Sequence, residues 1–208
     1  MYAEQTRSDL LGSARRHFTT TGYSSVTVDD IVSSIEVSKG TFYYHFSDKQ
    51  AMFTALLTEC LTETADTVTA AIRRLDKPGS NGPQVAAASA WVYLSRSLND
   101  MTYRELMRQA PMVLGEETYR HIDETIVLPP LITLMETLAA RGELKAGVHT
   151  QMAARMLLMM FVTANSIIAE STDPTTTMTE VADTIAAMFS GLVIGEVPMS
   201  RVAEPSTR

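Results

Sequence analysis

The stretch "EVSKGTFYYHF", Glu36 to Phe46, sets four aromatic rings and a histidine in five consecutive positions directly after Ser38-Lys39-Gly40-Thr41. Phe42 and Phe46 are four apart and share one face of a helix, which a protein core can use, so Tyr43, Tyr44 and His45 point elsewhere. Ser38 can cap such a helix. Upstream, Thr27 stands three residues before Asp30, a capping-box start for another short helix whose inner side carries Val28, Ile31, Val32 and Ile35. Two short helices separated by a break at Glu36 and Val37 have the layout of a helix-turn-helix, with the second helix as the reader. The alternative for "KGTFYYHF" is an amphipathic helix whose tyrosines only cover an interface.

Working outward, Leu10, Leu11, Ala14 and Phe18 recur at helical spacing between Glu4 and Thr21, and Gly22 follows where a helix end wants a left-handed residue. Ser47 with Gln50 marks the start of a fourth helix, which runs to about Leu75 and is ended by the loop "DKPGSNGP". Beyond it only helical patterns appear: "QVAAASAWVYLSRSL", "TYRELMRQA", "EETYRHIDETIVLPPLITLMETLAARG", "TQMAARMLLMMFVTANSIIAE" and "TEVADTIAAMFSGLV". Pro129 and Pro130 should kink or break the third, and Asp173-Pro174 separates the last two. The expectation is an all-α protein of about nine helices: a three-helix head over residues 1–47, a helical body over 48–198, and a frayed tail over 199–208.

Composition agrees with a folded globular protein: of 208 residues, 45% are hydrophobic and 20% charged. The net charge of −7 argues against a general polyanion binder, although residues 1–50 are nearly balanced and the acidity sits mainly beyond them. The longest apolar run, "MLLMMFV" at 156–162, falls far short of the roughly 18 residues of a membrane span. The N-terminus lacks a signal-peptide pattern, so the expectation is a cytoplasmic protein with no membrane partner. A single cysteine, Cys60, excludes an internal disulfide and a cysteine zinc cage, and is best read as a small buried residue.

The segment Thr27 to Leu57, "TVDDIVSSIEVSKGTFYYHFSDKQAMFTALL", with Gly22-Tyr23 before it and Asp48-Lys49 within it, resembles the DNA-binding signature of the TetR family of repressors. The resemblance covers about the first quarter of the chain; "APMVLG" and "LAARGEL" have the family's flavour in the body. It implies a double-stranded DNA site made by Thr27, Ser38, Lys39, Gly40, Thr41, Tyr43, Tyr44, His45 and Lys49. Within that set Lys39 to His45 form the reading helix, and Thr27, Tyr44 and Lys49 contact phosphates. Two positions depart from the pattern: Glu36 where glycine is usual in the turn, and Ile35 where alanine is usual.

A DNA reader is expected to be a two-fold homodimer on a palindromic operator. Val181, Ile185, Met188 and Leu192 form a helical stripe that needs a partner surface and are the candidate dimer interface, the alternative being that they fill the chain's own core. Thirteen methionines are many, and several cluster on one helix. Met156, Met159 and Met160, with Trp91, Tyr93, Tyr103, Met107, Met112, Tyr119 and Met135, can line an apolar pocket fitted with Arg108 and Asn165. The resemblance implies an inducer site in this body. His121 with Glu117 and Glu124 is better read as a solvated helix face than as a metal site. No catalytic motif is present, and no cofactor is implied. The reading is a ligand-released repressor; its rival is an all-α small-molecule-binding or interaction protein without DNA binding.

Overall fold

The computed structural model describes residues 2–77, 79–195 and 197, so the tail expected over 199–208 lies outside the described residues. Among the described residues the fold is all-α, with ten α-helices: α1 (Tyr2–Thr20), α2 (Val28–Ser33), α3 (Lys39–His45), α4 (Lys49–Ile72), α5 (Gly82–Asn99), α6 (Met101–Leu114), α7 (Glu116–Ile126), α8 (Leu128–Ala140), α9 (Thr150–Glu170) and α10 (Pro174–Ser190). The tenth arises where a kink or break was expected. Pro129 falls in the first turn of α8, where a missing N–H costs nothing, and α7 has ended just before it. Pro111, in contrast, is carried inside α6, which continues to Leu114.

Local chemistry sets the head. Thr27 and Asp30 form the reciprocal capping box of α2, and Ser38 accepts from the Thr41 N–H to cap α3. The cap of α4 differs from expectation: the Asp48 carboxylate accepts from the Ala51 N–H at 2.7 Å, and Ser47 only reaches back to that carboxylate. An ionised acceptor at the positive end of a long helix outcompetes a neighbouring hydroxyl. Leu10, Leu11, Ala14 and Phe18 of α1 bury against Ile31, Val32, Phe42 and Phe46. Each large side chain so buried contributes about 1.5–3 kcal/mol.

This core runs without interruption into the body. Phe18 and Tyr23 meet Phe53 of α4 with ring centroids 5.7 and 5.3 Å apart. Beyond it α4 packs on α5, α6, α7 and α8, while α9 lies against α8, α5, α6 and α10. Taken whole, α9 is long and apolar enough to cross a bilayer, which the short run 156–162 did not suggest. Here its inner residues Ala154, Leu157, Leu158, Phe161, Ala164 and Ile168 are buried within the bundle.

Candidate functional sites: an exposed reading helix and a buried cavity

The turn between α2 and α3 is built on Glu36, whose φ of 56° is left-handed, alone among the described non-glycine residues. The Val37 N–H donates to the Val32 carbonyl at 3.1 Å and the Glu36 N–H to the Ser33 carbonyl at 3.3 Å, the hydrogen-bond pair of a Schellman motif. The departure at position 36 therefore keeps the usual turn shape at the cost of left-handed strain.

That turn presents α3 as the sequence predicts. Phe42 is fully buried, while Tyr43 and Tyr44 are 57% and 78% exposed. The Tyr44 and His45 rings meet edge-on at 4.9 Å, and the Ser38 and Thr41 hydroxyls share a hydrogen bond at 3.0 Å. Thr27 is exposed at the start of α2. A Cβ on Gly40 would meet only the Ser38 Oγ, at an ordinary 3.5 Å, so the fold itself does not require glycine there. Lys39 lies exposed, its ammonium 2.9 Å from the Asp29 carboxylate, which raises its pKa.

Lys49 departs from its expected place. Its ammonium donates to the carbonyls of Tyr23 and Val26, both at 2.7 Å, and lies 4.1 Å from the centre of the Tyr23 ring. Partial burial lowers its pKa. The side chain fastens the start of α4 to the loop after α1.

In the body a cavity of about 320 Å³ opens between α4, α5, α8, α9 and α10. Ala86, Ala87 and Ala90 leave the space, and Leu131, Leu134, Phe161, Ile185 and Phe189 wall it. Of the sequence-proposed pocket residues, Trp91 and Tyr93 line it. Tyr103, Met107, Tyr119, Met135 and Asn165 are buried nearby. Met160 is half-buried. Met112, Met156 and Met159 face outward, and Arg108 is exposed and paired with Glu105 at 2.7 Å. They do not belong to the cavity: on α9 the buried positions interleave with the methionines, so the outer face of the helix carries Met152, Met156, Met159 and Ile167.

The proposed dimer stripe is likewise divided. Ile185 is buried and walls the cavity, Val181 and Leu192 are half-buried, and Met188 is exposed. The small-residue run "VAAASA", residues 85–90, is the sequence signal for the void.

Beside the cavity sits a polar cluster that the sequence reading found in part. The Asn165 amide donates to the phenol oxygens of Tyr93 at 3.2 Å and Tyr103 at 3.4 Å. Burial raises the pKa of all three tyrosines, Tyr93, Tyr103 (to about 12) and Tyr119. Asp123, missed entirely, is buried among them, and burial pushes its carboxyl up to about 7. Its signal was its place one turn after Tyr119 and one turn before Val127, on the inner side of α7. Cys60 is buried and its thiol is raised to about 11, which leaves it unreactive. His121 and Glu117 are exposed, and Glu124 lies 3.7 Å from Arg155.

Comparison with known families matches both parts. Residues 10–56 match the model of bacterial regulatory proteins of the tetR family, and residues 84–192 match the tetracyclin repressor-like C-terminal domain. The chain belongs to the TetR family. It is therefore a helix-turn-helix, DNA-binding transcriptional regulator and not an enzyme. It is 26% identical over 165 residues to the HTH-type transcriptional regulator UidR of Escherichia coli, covering 75% of this chain and 78% of UidR. A TetR-family transcriptional regulator from Pectobacterium atrosepticum superposes with a TM-score of 0.77 at 23% identity, covering 94% of this chain and 97% of that one. RolR bound to resorcinol superposes with a TM-score of 0.66 at 18% identity, covering 90% and 88%.

Proposed function

We infer that this protein is a cytoplasmic repressor which, as a homodimer, holds a palindromic operator and releases it when a small apolar or aromatic molecule enters the cavity. The observation that carries this reading is the course of α4. Ala65 and Val68 of α4 wall the cavity, and Lys49 at its other end is fastened to the head. A helix is stiff over that length, about 25–30 Å at 1.5 Å per residue, so a shift at the cavity re-aims α3. The RolR complex with resorcinol, although a likeness of fold alone, supports an aromatic ligand.

In this reading Tyr43, Thr41 and His45 meet base edges, while Thr27, Ser38, Tyr44 and Lys39 meet phosphates. Gly40 lets the backbone come close. The outer faces of α9 and α10, with Met152, Met156, Met159, Ile167 and Met188, supply the dimer contact. Residues 1–47 serve as the reading head and 48–198 as the ligand and dimer body.

Fluorescence anisotropy on DNA from upstream of the protein's own gene, with a panel of apolar and aromatic compounds, tests this. At least one compound should raise the melting temperature and weaken DNA binding by the same factor by which DNA weakens ligand binding. Ligand binding with no DNA shift would favour the rival reading, a binding protein without operator.

A further inference from the structure

Among the described residues Asp123 is the one buried carboxylate, 1% exposed, and neither of its oxygens has a hydrogen-bond partner. Native structures pair nearly all buried polar atoms, so such a group calls for an explanation. Its neighbours supply one only in part. The Tyr119 hydroxyl is the near donor and favours the ionised carboxylate, but its contact with Asp123 falls outside hydrogen-bond geometry, and it also reaches the Met107 sulfur at 3.8 Å. Tyr93 and Tyr103 receive Asn165. Arg96 sits over the Tyr103 ring at 4.9 Å, yet its N–H groups go to Glu63, Thr64 and the Cys60 carbonyl. The carboxylate lies just behind the cavity wall: Val127, one turn later at the junction of α7 and α8, is part of the wall, and Tyr93 belongs both to the wall and to the cluster.

We propose that the ligand of this cavity carries a protonated amine on an apolar or aromatic body, the body lying against Leu131, Phe161 and Phe189 and the ammonium pairing with the Asp123 carboxylate. This rests on the ligand-responsive reading above. An ammonium brings both the opposite charge and several donors to a carboxylate that lacks an ion-pair partner, and the surrounding phenol rings offer faces that attract a cation. A neutral hydroxyl would bring one donor and leave the charge uncompensated.

Titration calorimetry of the full-length protein at pH 8, with 4-phenylbutylamine against 4-phenylbutan-1-ol, tests this. The two differ only in the terminal group, and at this pH the carboxylate is ionised. The amine should bind about 10- to 100-fold more tightly. Asp123→Asn should bring it down to the level of the alcohol while moving the alcohol by less than about threefold. Should that variant fail to fold, the wild-type comparison decides by itself. Equal binding of the two compounds, or an amine preference that survives in Asp123→Asn, overturns the proposal. If the alcohol binds and releases the operator as well as the amine does, the ligand-released repressor stands and only the amine assignment falls. If neither binds, the amine assignment falls, and the broad compound panel judges the repressor reading separately.

Discussion

The backbone N–H of Tyr23, at the end of the loop leaving α1, donates to the Oε1 of Gln109 on α6 at 2.7 Å, while the same amide's Nε2 donates to the Phe18 carbonyl at 3.1 Å. One buried side chain of the body thus satisfies both an open donor and an open acceptor of the head. The fit is specific to a neutral amide, because a carboxylate cannot donate and an aliphatic chain can do neither. Replacing Gln109 with leucine should therefore leave two buried backbone groups unpaired and cost about 1–3 kcal/mol in chemical denaturation. If this bond also transmits the ligand signal, Gln109→Leu should bind ligand as before and release DNA less, the coupling factor moving toward one. An unchanged stability and an unchanged coupling would remove Gln109 from the link.

Glu36 supplies a gain-of-stability test. Glycine reaches φ of 56° without the Cβ penalty, which is about 1–2 kcal/mol, but adds freedom to the unfolded chain, about 0.4–1 kcal/mol. Glu36→Gly should come out stabilising by up to about 1 kcal/mol, with DNA affinity kept, since the Schellman bonds are main-chain. A loss in the melting curve would mean that the glutamate side chain holds the turn in some other way.

Two lysines near the reading helix should behave oppositely. Lys39 is exposed and need only exchange Asp29 for a phosphate, so Lys39→Ala should make the salt dependence of DNA binding shallower by about one unit. Lys49 is committed to the Tyr23 and Val26 carbonyls, so Lys49→Ala should lower stability by on the order of 1–2 kcal/mol and leave the salt slope unchanged. Anisotropy titrations at several salt concentrations, with a denaturation curve for each variant, separate the two roles.

That reversal marks the limit of what the sequence discloses. Capping boxes, the Phe42–Phe46 spacing and the break at Glu36 are local patterns, and local patterns fixed the head to within a residue or two. Lys49 bonds to residues more than twenty positions earlier, a relationship that no periodicity encodes. The cavity was legible only in kind. A methionine-rich helix announces an apolar surface, yet which side faces inward depends on where α8 and α10 pack, and Met156 and Met159 fall on the other side. The void itself comes from what is missing, small alanines on α5 opposite bulky residues on α8, α9 and α10, and Asp123 reads as an ordinary surface acid until Tyr93, Tyr103 and Tyr119 close over it.

The methionine face carries the dimer prediction. Met156 is 63% exposed in the single chain, so Met156→Glu should leave the fold stable but bury a charge in the proposed interface, giving monomers by sedimentation that no longer bind a two-half-site operator. Ile185→Glu should instead damage the fold by several kcal/mol, because Ile185 packs inside its own chain. A Met156→Glu protein that remains a dimer would place the interface elsewhere.

The buried carboxylate gives a pH signature. Burial raises Asp123 from 3.8 to about 7, so between those values the folded state holds a proton that the unfolded state has released. Stability from this group is fully present below about pH 4, declines as pH rises, and is lost above about 7, a change on the order of 4 kcal/mol. Other carboxylates have their own pH dependence, so the comparison must be differential. Asp123→Asn cannot titrate at this position, and its stability relative to wild type should rise across that window and level off above it. The groups facing Asp123, namely Tyr93 from α5, Tyr103 from α6 and Tyr119 from α7, are all raised and stay neutral there, and the Arg96 guanidinium lies beyond them over the Tyr103 ring. Denaturation midpoints of both proteins at pH 4, 5.5, 7 and 8.5 read this directly; parallel curves would mean that the carboxyl ionises in the fold as freely as it does in the unfolded chain.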